Sequence, residues 1–142
     1  MNWKYPLVGA VTFVALHRVL VVTWQTWFHG GGGHSPWFMN TVDSVVLAMA
    51  VFFVVNVMVC LLMPQPRVEE TSLAALQVVA GAIVPMIVTL VTLPEGPGNM
   101  APVAIFIGII ILVVPSVAGA LVGFAVRKAI LGLRSYLVDR IS

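Results

Sequence analysis

The stretch SVVLAMAVFFVVNVMVCLLM, residues 44–63, decides the fold class of this chain. It contains no charged side chain and a single amide, Asn56. A helix of about 20 residues rises roughly 30 Å, which is the thickness of the hydrocarbon core of a bilayer. The stretch lacks the alternation of polar and apolar residues that a membrane barrel strand requires. We therefore predict a transmembrane helix.

The composition of the whole chain agrees with a membrane environment. Of 142 residues, 61% are hydrophobic and 8% are charged, whereas soluble domains have about 45–50% apolar and about 25% charged residues. The net charge of +2 is small, and the basic residues other than Arg18 lie at the ends of apolar runs, so we expect no nucleic-acid partner. The single cysteine, Cys60, excludes an internal disulfide and a CxxC motif.

Four stretches are long and apolar enough to cross a bilayer, and Gly/Pro-rich segments separate them. We predict an all-α, four-transmembrane-helix bundle that forms a single membrane domain over residues 1–142, with spans at 5–28, 41–63, 70–93 and 100–126. Residues 127–142 carry apolar residues at helical intervals, including Ile130, Leu133 and Leu137. We expect this tail to be a short amphipathic extension that bends along the lipid headgroups.

The positions of the basic residues predict which side each loop faces. An even number of spans places both termini on one side, and that side receives every basic residue except Arg18. Because cytoplasmic loops are enriched in Lys and Arg, we predict cytoplasmic termini in a cell (inner) membrane, with loops 29–40 and 94–99 on the outer side. The residues behind this prediction are Lys4, Arg67, Arg127, Lys128, Arg134 and Arg140.

The last span carries a face of small residues, formed by Ser116, Gly119, Ala120 and Gly123. Small residues let membrane helices approach closely, so this face predicts a helix crossing within the chain or with a partner. The alternative is chance, because Gly and Ala are common in membrane helices.

Polar side chains inside the spans are the candidates for ligand or partner contacts: Arg18, His17, Asn56, Gln77 and Gln25. If each span is centred separately in the bilayer, Arg18 and His17 lie within a few ångströms of the midplane. A charge at that depth must face protein, water or a partner, because hydrocarbon solvates it poorly.

Three interpretations of Arg18 follow. In the first, Arg18 bonds Asn56, backbone carbonyls freed by the mid-span prolines, or a carboxylate of another subunit. Asp43 is expected roughly 12 Å farther out along the axis, so the chain does not neutralise this charge itself. In the second, Arg18 and His17 hold an anionic ligand or a lipid headgroup. In the third, His17 ligates haem, but no second histidine lies within a span, and we predict no cofactor.

The loop after the first span contains His29, His34 and Met39, which are possible copper or zinc ligands. No carboxylate or cysteine completes a ligand set there, and we predict no metal site. The chain also shows no nucleophile–His–acid pattern and no phosphate-binding loop. We therefore expect no catalytic activity.

These observations leave two functional hypotheses. The first is a small non-catalytic subunit that packs into and stabilises a larger membrane complex, such as a respiratory, photosynthetic or transport assembly. The alternative is a homo-oligomeric small transporter or channel, with Arg18 and His17 lining an anion or solute site. The expected partners are the lipid bilayer and either other membrane subunits or copies of the same chain.

Overall fold

A computed structural model describes residues 2–29, 41–64, 67–92 and 101–141, and these residues form helices and no strand. The helices are α1 (Lys4–His29), α2 (Thr41–Leu62), α3 (Val68–Thr92) and α4 (Ala101–Ile141). The all-α prediction is confirmed, and all four helices are long and apolar enough to cross a membrane. The predicted boundaries agree within two residues except at the C-terminal end of α4.

The helix ends follow from local chemistry. Asp43 lies in the first turn of α2, and Glu69 and Glu70 lie in the first turn of α3. Carboxylates at these positions interact favourably with the positive end of the helix dipole. At the other end of α2, the Met63 amide donates to the Cys60 carbonyl (3.2 Å). Pro64 follows that turn, and its fixed backbone and missing N–H oppose further helix.

α4 is one helix of 41 residues that includes the predicted tail. It rises about 60 Å, roughly twice the thickness of the hydrocarbon core. Beyond the half-buried Arg127, every residue that the structure describes is exposed. The tail is thus helical, but it continues α4 without a break, because Ala, Leu, Lys and Arg favour helix and the lone Gly132 is not enough to end it.

The helices pack in the order α1, α3, α4, α2, and the contacts of α2 with α1 and α3 are sparse. The central core cluster combines α2, α3 and α4, and α1 adds Tyr5 and Phe13 at its edge. α1 therefore depends on α3 for most of its contacts. The buried members of the cluster are Phe52, Val78, Val79, Ala82, Met86 and Leu112.

Two glycines set the crossing of α1 with α3. Gly9 of α1 lies against the backbone carbonyl of Val78, and Gly81 of α3 lies against the backbone carbonyl of Pro6. A Cβ atom at either glycine would overlap the opposite backbone. The two helices touch backbone to backbone here, which only glycine permits.

The start of α1, the α2–α3 turn and the exit of α4 meet at one end of the bundle. A cleft of about 680 Å³ at this end is lined by residues from the start of α1, the α2–α3 turn and the first half of α3, among them Asn2, Pro64 and Glu70. Gly123 of α4 lies beside Cys60 near the end of α2, so the α4 tail leaves from the same end. We call this the basic end, because Arg67, Arg127, Lys128, Arg134 and Arg140 lie toward it, and the first residues of α1, which include Lys4, face the same end.

Candidate functional site

The small-residue face of α4 lies at the crossing with α2. Ser116 and Ala120 are buried, at 0% and 3% exposure. Gly119 lies against the Phe53 backbone, and a Cβ at Gly123 would come within 2.8 Å of the Cys60 Cβ. The structure thus places this face inside the chain, against α2.

The buried polar side chains of the bundle are not turned toward Arg18. Asn56 is 2% exposed, and its Nδ2 donates to the Phe52 carbonyl on its own helix (2.8 Å). The Ser116 Oγ and the Gln77 Oε1 are buried with no hydrogen-bond partner among the described residues. An Arg18–Asn56 bond, the first option of the sequence-based interpretation, is therefore not formed, because α1 contacts α3 and barely touches α2.

Arg18 lies on the outward face of α1 and is exposed. Within the described part of the chain, its guanidinium takes part in no hydrogen bond or ion pair. The neighbouring His17 is half-buried, and its ring is stacked on Phe13 with centroids 6.4 Å apart and an interplanar angle of 9°. The two residues thus point to different surroundings, and the structure does not bring them together as one site.

The α1–α3 crossing sets the level of Arg18 relative to α3. The crossing joins residues 6–9 of α1 to residues 78–81 of α3, which include the midpoint of α3. Arg18 lies about ten residues farther along α1, a rise of roughly 15 Å. The sequence-based estimate centred each span separately, whereas packing displaces α1 along its axis relative to α3. If the midpoint of α3 lies at the centre of a hydrocarbon core about 30 Å thick, Arg18 lies near the edge of that core.

Asp43 lies at the same level as Arg18. The Thr71 hydroxyl of α3 contacts the sulfur atoms of Cys60 and Met63, each at 3.9 Å, which aligns the end of α2 with the start of α3. Counting back along α2 places Asp43 about 14 Å beyond the α1–α3 crossing. The predicted offset between Asp43 and Arg18 is thus absent. Even so, no ion pair joins Asp43 to another residue that the structure describes.

Several predicted site residues cannot be placed. The side chain of Gln25 and the residues His34 and Met39 lie outside the described part of the chain, as does the side chain of His29. Across the described ranges, no group of three or more His, Cys, Asp or Glu side chains is close enough to hold a metal ion.

Two features of the α1–α3 contact went unrecognised in the sequence. One is the crossing at Gly9 and Gly81. The glycines themselves were the available signal, but neither belongs to a repeated small-residue motif. The other is an apolar groove of about 640 Å³ between α1 and α3, lined by residues that include Trp3, Pro85 and Val88.

Comparison with known proteins gives no assignment: no protein-family description, curated protein or solved structure matches this chain. The chain is therefore defined by its architecture, as an all-helical protein with four helices of membrane-spanning length and composition.

Proposed function

We propose that this chain is a small non-catalytic membrane subunit that packs into and stabilises a larger membrane protein complex. The observation that carries the proposal is Arg18, which is exposed on α1 and has no partner among the described residues. A guanidinium stays charged at any physiological pH. Near the edge of a hydrocarbon core its long side chain can reach the headgroups, so the cost of exposing it to lipid is smaller than at the midplane. An acidic group of another protein would pair with it at that level.

The shape of the chain supports the same proposal. Four helices of membrane length account for nearly all described residues, and the exposed faces of α1, α2 and α3 are apolar. Apart from the α4 tail and the last turns of α1, little of the described chain would extend beyond the lipid. Such a protein contributes contacts within a membrane and offers few groups for chemistry in water.

We propose that the basic end faces the cytoplasm in a cell (inner) membrane. The position of Arg67 and the basic tail of α4 at one end, which the start of α1 also faces, supports this orientation, because cytoplasmic segments are enriched in Lys and Arg. The first basic residues of the exposed, helical tail then lie where anionic headgroups attract them.

A homo-oligomeric transporter or channel is the second candidate. It is favoured by the exposure of Arg18 on the outward face of α1, which would give an anion pathway one fixed cation. In that case, purified protein in phosphatidylcholine vesicles would pass chloride or another small anion, and Arg18→Ala would abolish the flux.

The main proposal is tested by tagging the chain and purifying it from its native membrane in mild detergent. We expect a fixed set of other membrane polypeptides to co-purify with the wild type and to be lost with Arg18→Leu. The matched control is Val22→Leu, one turn away on α1 and also exposed, which should retain them. Purification of the wild type without any other polypeptide would contradict the proposal.

A further inference from the structure

We propose that copies of this chain associate side by side, with α1 of one copy packed against α2 of the next and Arg18 paired with Asp43 across the contact. This inference deepens the proposed function and rests on it only for insertion into a membrane. The partner that we propose for the exposed face of α1 around Arg18 is a second copy of the chain.

The first observation is a pair of exposed stripes with matching spacing. On α1 the stripe has intervals of four, three and four residues, and on α2 the intervals are three, four and four. Both sets of intervals keep the residues on one face of a helix. The α1 stripe is Leu7, Val11, Val14 and Arg18, and the α2 stripe is Asp43, Val46, Ala50 and Val54.

The two stripes also match in level. α1 runs away from the basic end and α2 runs toward it, so the stripes of neighbouring copies would pair in opposite directions. Since Arg18 and Asp43 lie at about the same level, Val11 falls opposite Ala50 and Leu7 falls opposite Val54. Each of these apolar positions is exposed in the single chain, and Asp43 is half-buried.

The surface of α1 beside Arg18 can admit another helix closely. Ala10, Val11, Val14 and Ala15 line a shallow depression of about 320 Å³ on the outer side of α1. Ala50 is the small residue on the facing stripe. Membrane helices associate through small residues of this kind, because lipid provides no hydrophobic drive for their contact.

The opposite charges of Arg18 and Asp43 favour a second copy as the partner and favour an α1–α2 contact over an α1–α1 contact. Glu69 and Glu70 lie at the basic end, whereas Asp43 lies at the level of Arg18. A symmetric contact of α1 with α1 would place two Arg18 side chains against each other, since a two-fold axis pairs identical surfaces. A contact of α1 with α2 pairs opposite charges instead, and the same contact repeated around an axis closes an oligomer.

The test uses two differently tagged chains that each carry one introduced cysteine, on a Cys60→Ala background. One chain carries Val11→Cys and the other carries Ala50→Cys, so that a disulfide with both tags can form only between copies. The matched control replaces Ala50→Cys with Ala118→Cys, which is exposed on α4. After oxidation in native membranes, we expect at least about tenfold more doubly tagged product from the first pair, because a disulfide requires Cα atoms within about 7 Å.

Charge exchange provides the second measurement. Arg18→Asp and Asp43→Arg should each reduce the doubly tagged product at least about tenfold, because each leaves like charges facing each other across the contact. A chain with both substitutions should recover it. Three results would each overturn the inference. The first is equal doubly tagged product from the test and control pairs, the second is disulfide adducts only with other polypeptides, and the third is no recovery of product in the double variant.

The outcomes also separate this inference from the proposed function. If other polypeptides co-purify with the chain but no doubly tagged product forms, the subunit function is supported and the self-association is overturned. Doubly tagged product from particles that contain only this chain would support the self-association and contradict a mixed complex.

Discussion

Gly9 of α1 lies against the carbonyl oxygen of Val78 in α3, and this contact fixes the axial register of α1 relative to α3. The reciprocal contact of Gly81 with Pro6 prevents α1 from sliding by a turn. Because this register sets the level of Arg18, the glycine crossing connects helix packing to the surface that we propose as a docking site.

The glycine crossing predicts opposite effects for two identical substitutions. Gly9→Ala should lower the midpoint of thermal unfolding in detergent, because its Cβ would overlap the Val78 backbone, and overpacking typically costs about 1–3 kcal/mol. Gly132→Ala is the control: no atom lies within 4 Å of its Cβ position. Alanine favours helix over glycine by up to about 1 kcal/mol, so Gly132→Ala should leave the midpoint unchanged or raise it. A midpoint that Gly9→Ala does not lower would contradict the crossing.

Ser116 provides a second stability test. Its hydroxyl is fully buried without a hydrogen-bond partner among the described residues. An unsatisfied buried polar group costs about 1–3 kcal/mol, so Ser116→Ala should leave stability unchanged or raise it. Asn56→Ala should lower it, because the substitution removes a packed amide that bonds Phe52. The comparison is the shift in the unfolding midpoint of the two variants, and destabilisation by Ser116→Ala would argue against the packing seen at α4.

The level of α1 can be measured directly. We expect nitroxide labels on the exposed α1 positions Leu7, Val11, Val14 and Val19 to be deepest at residues 7–11, as judged from collisions with oxygen and with a water-soluble relaxant. Labels at Val19 should be shallow. Greater depth at Val14 and Val19, which flank the centre of α1 taken alone, than at Leu7 and Val11 would contradict the register given by Gly9 and Gly81.

The orientation of the bundle predicts a difference between two serine positions. Ser35→Cys, in the loop after α1, should react with a membrane-impermeant maleimide in intact cells. Ser135→Cys, in the exposed tail of α4, should react only after permeabilisation. Cys60 is fully buried and should add little background. Labelling of both cysteines in intact cells, or of Ser135→Cys alone, would contradict cytoplasmic termini.

The number of helices and most of their ends could be predicted from sequence, because run length and hydrophobicity decide which segments need lipid and Gly/Pro-rich segments interrupt them. Stretch 44–63 and the α3 run show this directly. The unbroken α4 was only partly foreseen, since nothing in its helix-favouring tail marks an end. The level of α1 could not be predicted, because apolar residues specify depth only loosely and contacts such as Gly9 with Val78 decide the register.

The most direct test of the account is the native mass of the particle extracted in mild detergent, with every chain identified and counted. Its central claim is that the exposed Arg18 surface is covered within the membrane by other protein. We predict a particle that contains at least two copies of this chain together with other membrane polypeptides, and a shift to smaller species with Arg18→Leu. A single 15.2 kDa chain surrounded only by lipid and detergent would contradict that claim.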